Sequence, residues 1–180
     1  MRLILVGGAA ASPELVAQAN ALTNLKSKIQ SPKSIVATTY GMTESSSQIA
    51  TLLPEDAVRK PASVGRPLLF TRVKVMGENG EEQPAGEYGE IWVKGPTVTK
   101  RYVNNEQANR ERFVEGWFKT GDIGYVDDEG DLWIVQRRSD LIVSGGENVY
   151  PAEVEKVLRG HPAVKEVCVV GGAGPSFPPA

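Results

Sequence analysis

The stretch that decides the reading is S-I-V-A-T-T-Y-G-M-T-E-S-S-S, residues Ser34 to Ser47. Its apolar and β-branched part, Ile35–Thr39, reads as a strand. That strand runs directly into an aromatic ring, a glycine, hydroxyls and one carboxylate. The polar end admits two readings. Thr43 and Glu44 either cap the next segment of an ordinary turn, or they hold a ligand. As ligand groups the residue types fit together. Tyr40 offers a stacking face, worth about 1–3 kcal/mol against a base. The Thr43 hydroxyl can donate to a phosphate oxygen, and the Glu44 carboxylate is a hard oxygen ligand suited to Mg²⁺.

Before this stretch, Leu3–Val6 reads as a buried strand and Gly7–Ala11 as its turn. A helix is expected from Pro13, proline being well placed at a first helical position, with Leu15, Val16, Ala19 and Leu22 on one face. The opening M-R-L-I-L-V-G-G-A-A-A-S also mimics a secretory leader. Its apolar run is short, and Ser12-Pro13-Glu14 is a helix start, so a strand, a turn and a helix account for the residues without cleavage. Strand, helix, strand in that order favours a parallel α/β unit.

After Pro61 the pattern changes. Arg72–Met76 and Glu90–Lys94 alternate polar and apolar, separated by G-E-N-G and P-A-G-E-Y-G, which is half-buried antiparallel sheet. Asn105-Glu106-Gln107 starts a short helix. Ile123–Val126 and Leu132–Val135 flank D-D-E-G as a hairpin. Pro151 opens another helix, closed by Gly160, and Val164–Val170 reads as a final apolar strand. The fold class expected is therefore mixed α/β.

Composition narrows the function. Hydrophobic residues are 41% and charged residues 23%, as in ordinary globular chains, and the net charge is −2. Neither a basic stripe nor an aromatic–basic alternation stands out along the sequence, which argues against nucleic acid. The one cysteine, Cys168, is expected to be a small buried hydrophobe in a reducing compartment. No run approaches the roughly 18 apolar residues of a membrane span.

Further polar groups sit beside glycines. Gly7-Gly8 would let a backbone or a flat ligand approach closely. Lys119-Thr120-Gly121-Asp122 offers a carboxylate that could accept from both hydroxyls of a ribose, or form an Asx turn. Arg137-Arg138-Ser139-Asp140 and Ser144-Gly145-Gly146-Glu147-Asn148 bring cations and a glycine pair close together, as a site or as a solvated loop. His161-Pro162 belongs to a helix-ending turn and is given no catalytic role.

In order and spacing these segments resemble the adenylate-forming superfamily of acyl-CoA synthetases. The matching stretches are G-G-A-A-A-S, Y-G-M-T-E, G-E-Y-G-E-I-W-V-K-G-P with the later R-Y, W-F-K-T-G-D, and Q-R-R-S-D-L-I-V-S-G-G-E-N-V-Y-P-A-E-V-E. The wording S-S-S-Q-I-A-T-L-L-P-E-D is similar to the 2-succinylbenzoate–CoA ligases of menaquinone and phylloquinone synthesis. The resemblance implies ATP-dependent activation of a carboxylic acid as an acyl-adenylate, then transfer to CoA, in the cytoplasm. ATP or AMP, Mg²⁺ and CoA would be bound.

Carried over residue by residue, the resemblance places Tyr40 and Gly41 at the adenine and Gly8 and Ala9 near the purine and acyl pocket. Thr43 would bind the α-phosphate and Glu44 the Mg²⁺, the two together serving catalysis. Asp122, assisted by Arg137, would hold the ribose. Ser139 would be a hinge, and Gly145-Gly146-Glu147 would line the pantetheine channel. Residues 1–138 would be the C-terminal portion of the large AMP-binding domain, a parallel α/β unit plus an antiparallel barrel-like sheet. Residues 139–180 would begin the small domain. The family's phosphate loop and its C-terminal catalytic lysine have no counterpart in this sequence, so the chain is expected to be a fragment that exposes an apolar sheet edge. The acid, 2-succinylbenzoate or another aryl or fatty acid, and any homo-oligomer stay open, and the alternative reading is a non-catalytic nucleotide-binding remnant.

Overall fold

The computed structural model describes residues 3–8, 12–25, 35–137, 140–144 and 147–172. It divides into two compact units, Met1–Ile134 and Val135–Ala180.

In the first unit, β1 (Leu3–Val6) lies parallel to β2 (Ile35–Met42), with Leu3 opposite Ile35 and Val6 opposite Thr38. Helix α1 (Pro13–Leu25) makes the crossover, as the parallel reading required. Its buried side differs from the expected apolar face. Val16 is 1% exposed and Asn20 is buried, whereas Leu15 is 57% and Leu22 59% exposed. The reason is a two-point amide bond. Asn20 Nδ2 donates to the Val36 carbonyl at 3.0 Å, and Asn20 Oδ1 accepts from the Val36 N–H at 2.7 Å. A polar side chain thus fixes the helix to the strand. Strand β1 is also not buried: Leu3 and Leu5 are exposed along the sheet edge.

Strand β2 continues past Thr39 through Tyr40 and Gly41 to Met42, further than expected. A 3-10 turn at Thr43–Ser45 returns the chain into β3 (Ser47–Thr51), antiparallel to β2, followed by β4 (Arg66–Pro67) on β3. A second, curled antiparallel sheet follows. It contains β5 (Arg72–Met76), β6 (Gly89–Lys94), β7 (Phe113–Val114), β8 (Trp117–Val126) and the start of β9 (Leu132–Arg137), whose residues from Val135 on are counted with the second unit, with β8 pairing β6, β7 and β9. Helix α2 (Glu106–Arg112) starts where expected, with the Asn105 side chain accepting from Ala108 N at 3.1 Å. Glu115 and Gly116, both at positive φ, join β7 to β8 in the primed geometry that suits a two-residue hairpin.

Ile49, Ala50, Ile91, Val93, Phe118 and Leu132 form the main core. A hydrogen-bond chain ties the two sheets together. Thr38 Oγ1 donates to the Ser63 carbonyl, Ser63 Oγ donates to the Leu132 carbonyl at 2.9 Å, and Gly65 bridges Leu132.

In the second unit, β10 (Ile142–Ser144) pairs antiparallel with β11 (Glu147–Val149), and α3 (Pro151–Arg159) follows. Gly160 stays right-handed at φ −68, so the helix ends without the left-handed glycine cap. Residues 164–172 form no strand. Apolar content alone does not make a strand without a ladder to join, and Val169 N donates instead to Glu155 Oε1 at 2.9 Å. Cys168, expected to be buried in that strand, is accordingly exposed.

Candidate active site

Both segments singled out by the sequence sit at irregularities in a β ladder. Pairing of β2 with β3 shifts between Tyr40 and Gly41, and pairing of β6 with β8 shifts between Glu90 and Trp92. Such bulges re-aim side chains out of the regular pleat.

At the first bulge Gly41 is obligatory. A Cβ there would stand 2.5 Å from the Ser47 carbonyl oxygen and 2.8 Å from the Gln48 Cα. The close approach lets the chain double back through Thr43–Ser45. Ser45 is buried and locks this turn, its hydroxyl lying 3.2 Å from Met42 N, 2.8 Å from Met42 O and 2.6 Å from Ser47 O. Ser46 adopts φ 59, and its hydroxyl donates to the Thr97 carbonyl at 2.9 Å. Thr43 is left exposed, and its hydroxyl has no partner among the described residues.

Glu44 is half-buried and held at both ends. Its carbonyl accepts from Thr99 N at 2.7 Å, and its Oε1 accepts from the Tyr102 hydroxyl at 2.7 Å. Tyr102 is itself positioned by Asn109, which accepts from Tyr102 N at 2.7 Å and donates to its carbonyl at 3.0 Å. The Tyr102 ring packs edge-on against Phe113 and Phe118. Burial, reinforced by the hydrogen bond and the charge of Glu44, pushes the Tyr102 phenol up to about 12. The phenol is therefore a fixed donor at neutral pH. The other Glu44 oxygen accepts no hydrogen bond among the described residues, so it can face an external cation.

The second bulge carries Asp122. Lys119-Thr120-Gly121-Asp122 is not a terminal turn but the middle of β8. Thr120 Oγ1 donates to the Ile91 carbonyl at 2.8 Å and accepts from Asp122 N at 3.1 Å, while Gly121 takes φ +76. This turns the Asp122 carboxylate towards Tyr40, whose hydroxyl donates to Asp122 Oδ2. Asp122 is 4% exposed, and the Tyr40 ring leans on the main core. Two groups 82 residues apart in sequence thus meet, one an aromatic platform and the other an acceptor-only carboxylate.

Of the remaining expected site residues, Gly8 has φ +88 with open space where a Cβ would be, whereas the close approach of that pair belongs to Gly7, against Thr39. Arg137 ends β9, is exposed and belongs to the second unit. Ala9, Ser139, Gly145 and Gly146 lie outside the described residues. Among the described residues no three His, Cys, Asp or Glu side chains gather as a metal site. Glu44 alone fits a cation that arrives already coordinated by a ligand's phosphates. Tyr102, which sequence reasoning registered only as part of R-Y, is the functional neighbour it missed.

A family model described as AMP-binding enzyme matches residues 1–103. The chain belongs to the AMP-binding enzyme family. It is 59% identical over 136 residues to a 2-succinylbenzoate–CoA ligase of Bacillus licheniformis, covering 76% of this chain and 28% of that protein. Among solved structures it is similar to o-succinylbenzoate CoA synthetase from Bacillus subtilis in complex with the acyl-adenylate intermediate OSB-AMP. There the TM-score is 0.82 and the identity 47%, over 97% of this chain and 34% of that one. The same synthetase in complex with ATP and magnesium ion gives a TM-score of 0.79 at 48% identity, over 95% of this chain and 34% of that one. This AMP-binding chain thus spans about a third or less of the length of the relatives it matches. No described helix is long and apolar enough to cross a membrane.

Proposed function

We propose that this chain is the nucleotide-facing part of a ligase that activates 2-succinylbenzoate with ATP and passes the acyl group to CoA. The observation that carries the reading is the meeting of Tyr40 and Asp122 beside the turn that holds Thr43 and Glu44.

Two displacements make up the reaction. A carboxylate oxygen of the acid attacks the α-phosphorus of ATP, and the bond to the β-phosphate breaks, releasing pyrophosphate. The CoA thiol then attacks the acyl carbonyl, losing its proton, and AMP leaves with the phosphate oxygen. Negative charge builds at the α-phosphate in the first step, so donors fixed before the reaction lower its barrier.

In this reading Tyr40 and Gly41 face the adenine, with Gly8 and Ala9 beside it. Asp122 accepts from the ribose hydroxyls, assisted by Arg137. Thr43 donates to the α-phosphate. Glu44, held by Tyr102, takes one coordination position on a Mg²⁺ that neutralises phosphate charge when bound. Gly145, Gly146 and Glu147 line the path of the pantetheine arm, and Ser139 is the hinge between a large domain ending near residue 138 and a small one beginning at 139. A reaction that consumes ATP and CoA fits a cytoplasmic enzyme. The similarity to 2-succinylbenzoate–CoA ligases supports the choice of acid.

Calorimetric titration of the purified chain with a non-hydrolysable 2-succinylbenzoyl-adenylate mimic tests the reading. Binding heat and a rise in Tm are expected, both strongly reduced in Asp122→Asn, which replaces an acceptor-only oxygen by a donor. A saturating ligand at 100 times its Kd stabilises by about 2.7 kcal/mol. No heat and no Tm shift would sink the nucleotide-site assignment for this chain.

A further inference from the structure

One face of the curled sheet carries an arrangement assembled from three strands. Strand β5 contributes Arg72 and Lys74, β6 contributes Trp92 and Lys94, and β8 contributes Trp117 and Lys119. The register puts Arg72 beside Lys94, Lys74 beside Trp92, and Trp92 beside Lys119. The alternate residues Val73, Val93 and Phe118 go to the core.

Cations and indoles interleave on this face. The Lys74 ammonium lies 4.8 Å from the Trp92 ring centre and 4.7 Å from that of Trp117. Lys119 lies 4.9 Å from Trp92, and Arg72 lies 5.5 Å from Trp117. Neither these cations nor Lys94 and Lys100 are in an ion pair among the described residues. The Trp92 indole N–H donates to Glu90 Oε2 at 3.3 Å, so Arg72, Lys74, Lys94 and Lys119 outnumber this neighbouring carboxylate in a chain whose net charge is −2. It is the aromatic–basic alternation that the sequence does not show as a run, because each strand supplies only one short piece, R-V-K, W-V-K or W-F-K.

Beside this face the turn before β5 presents an apolar tip. Thr71 N donates to Leu68 O at 2.9 Å, and at the tip Leu69 is 83% and Phe70 75% exposed. Phe70 has φ 67, a conformation uncommon for a bulky residue. A cavity of about 610 Å³ adjoins the tip, walled in part by Phe70, Phe113, Arg72, Lys94 and Lys100.

We propose that this face docks on an anionic lipid surface. Leu69 and Phe70 enter the acyl boundary, Trp92 and Trp117 lie at headgroup depth, and Arg72, Lys74, Lys94 and Lys119 meet lipid phosphates. Each part matches a known physical preference: apolar side chains insert, amphipathic rings favour the interface, and clustered cations follow the surface potential. Nucleic acid fits less well, because the faces of Trp92 and Trp117 already carry cations and are not free for bases to stack on. An acidic protein would use the cations but leave the apolar tip without a role.

The test is co-sedimentation of the purified 180-residue chain with phosphatidylcholine vesicles, with and without phosphatidylglycerol. Binding is expected only with the anionic lipid, falling steeply with salt. Lys74→Glu with Lys119→Glu should weaken it about tenfold or more. Leu69→Ser with Phe70→Ser should weaken it as well while leaving the far-UV spectrum unchanged. Equal binding to both vesicle types overturns the proposal, as does binding indifferent to the tip variant. Full competition by soluble polyglutamate, with the tip variant unaffected, overturns it in favour of an acidic protein partner. Should the charge-reversed variant fail to fold, quenching of wild-type tryptophan fluorescence by brominated anionic lipid decides. Its absence overturns the proposal.

Discussion

Glu44 and Tyr102 are 58 residues apart in sequence and 2.7 Å apart in the fold, and that bond decides which way the carboxylate points. Tyr102→Phe keeps the ring that packs on Phe113 and removes only the donor. A hydrogen bond to a charged group is worth about 1.5–3 kcal/mol, and partial exposure puts the expected loss of stability near the lower end. The pH dependence follows from the raised phenol. Its ordinary value is 10.0 and its folded value about 12, so its contribution is fully present below pH 10 and is lost as the pH rises through about 12. Urea unfolding of both proteins should give a constant difference from pH 6 to 9 that narrows towards pH 12. A difference that persists unchanged at pH 12 would show that the phenol is not held by Glu44. Tyr40, Thr43, Glu44 and Asp122 were legible in the sequence as residue types suited to a nucleotide. Tyr102 was not, because its role exists only through a contact formed across the fold.

At the scale of elements, the hairpin between β8 and β9 is clasped to the segment before β4 by a set of charges. Lys60 Nζ donates to Asp127 Oδ2 and Asp131 Oδ2, each at 2.7 Å, and lies 3.1 Å from Glu129. Burial alone would push the Asp127 carboxyl up, but donation from Lys60 and the Trp133 indole holds it at about 2. Arg59 and then Lys60 hold Glu129 at about 2. Both carboxyls sit below their ordinary 3.8 and 4.5, so their contribution is present above those values and is lost as the pH falls through about 2. Lys60→Met leaves these carboxylates without their shared cation. Its Tm should fall well below wild type at pH 7, and the gap should shrink between about pH 4 and 2 as the acids protonate. Scanning calorimetry across that range checks this, and a gap independent of pH would refute the clasp. The hairpin here was readable from its D-D-E-G turn between Ile123–Val126 and Leu132–Val135, although β8 begins earlier, at Trp117. The bulge at Thr120–Asp122 was not, because an irregular register depends on the partner strand. Nor was the buried face of α1, where Asn20 is buried while Leu15 and Leu22, which periodicity placed inside, are exposed.

Across the whole molecule, burial is unequally shared between the two units. Among the described residues, every buried hydrophobic residue of the core, from Val16 to Leu132, belongs to Met1–Ile134. Among the described residues from 135 onward only Pro151 is buried, and Val143, Val157 and Val170 are 66%, 77% and 76% exposed. At about 25 cal/mol per Å² of apolar surface removed from water, a unit that buries so little has little to offset the entropy of ordering its backbone. Local opening free energies should therefore differ sharply, with the amides of β10, β11 and α3 exchanging much faster than those of β6 and β8. Limited proteolysis followed by mass measurement gives the direct check. Cleavage should concentrate after residue 134, and the fragment containing Ile49, Ile91 and Phe118 should persist. Equal loss of both units, or early cuts within β6 or β8, would mean that the second unit is stabilised by contacts its burial does not account for. The same comparison bears on the exposed edge at Leu3 and Leu5. An unpaired apolar strand edge invites association, so the persistent fragment should still form oligomers by light scattering, and Leu5→Lys should reduce them without moving the proteolytic pattern.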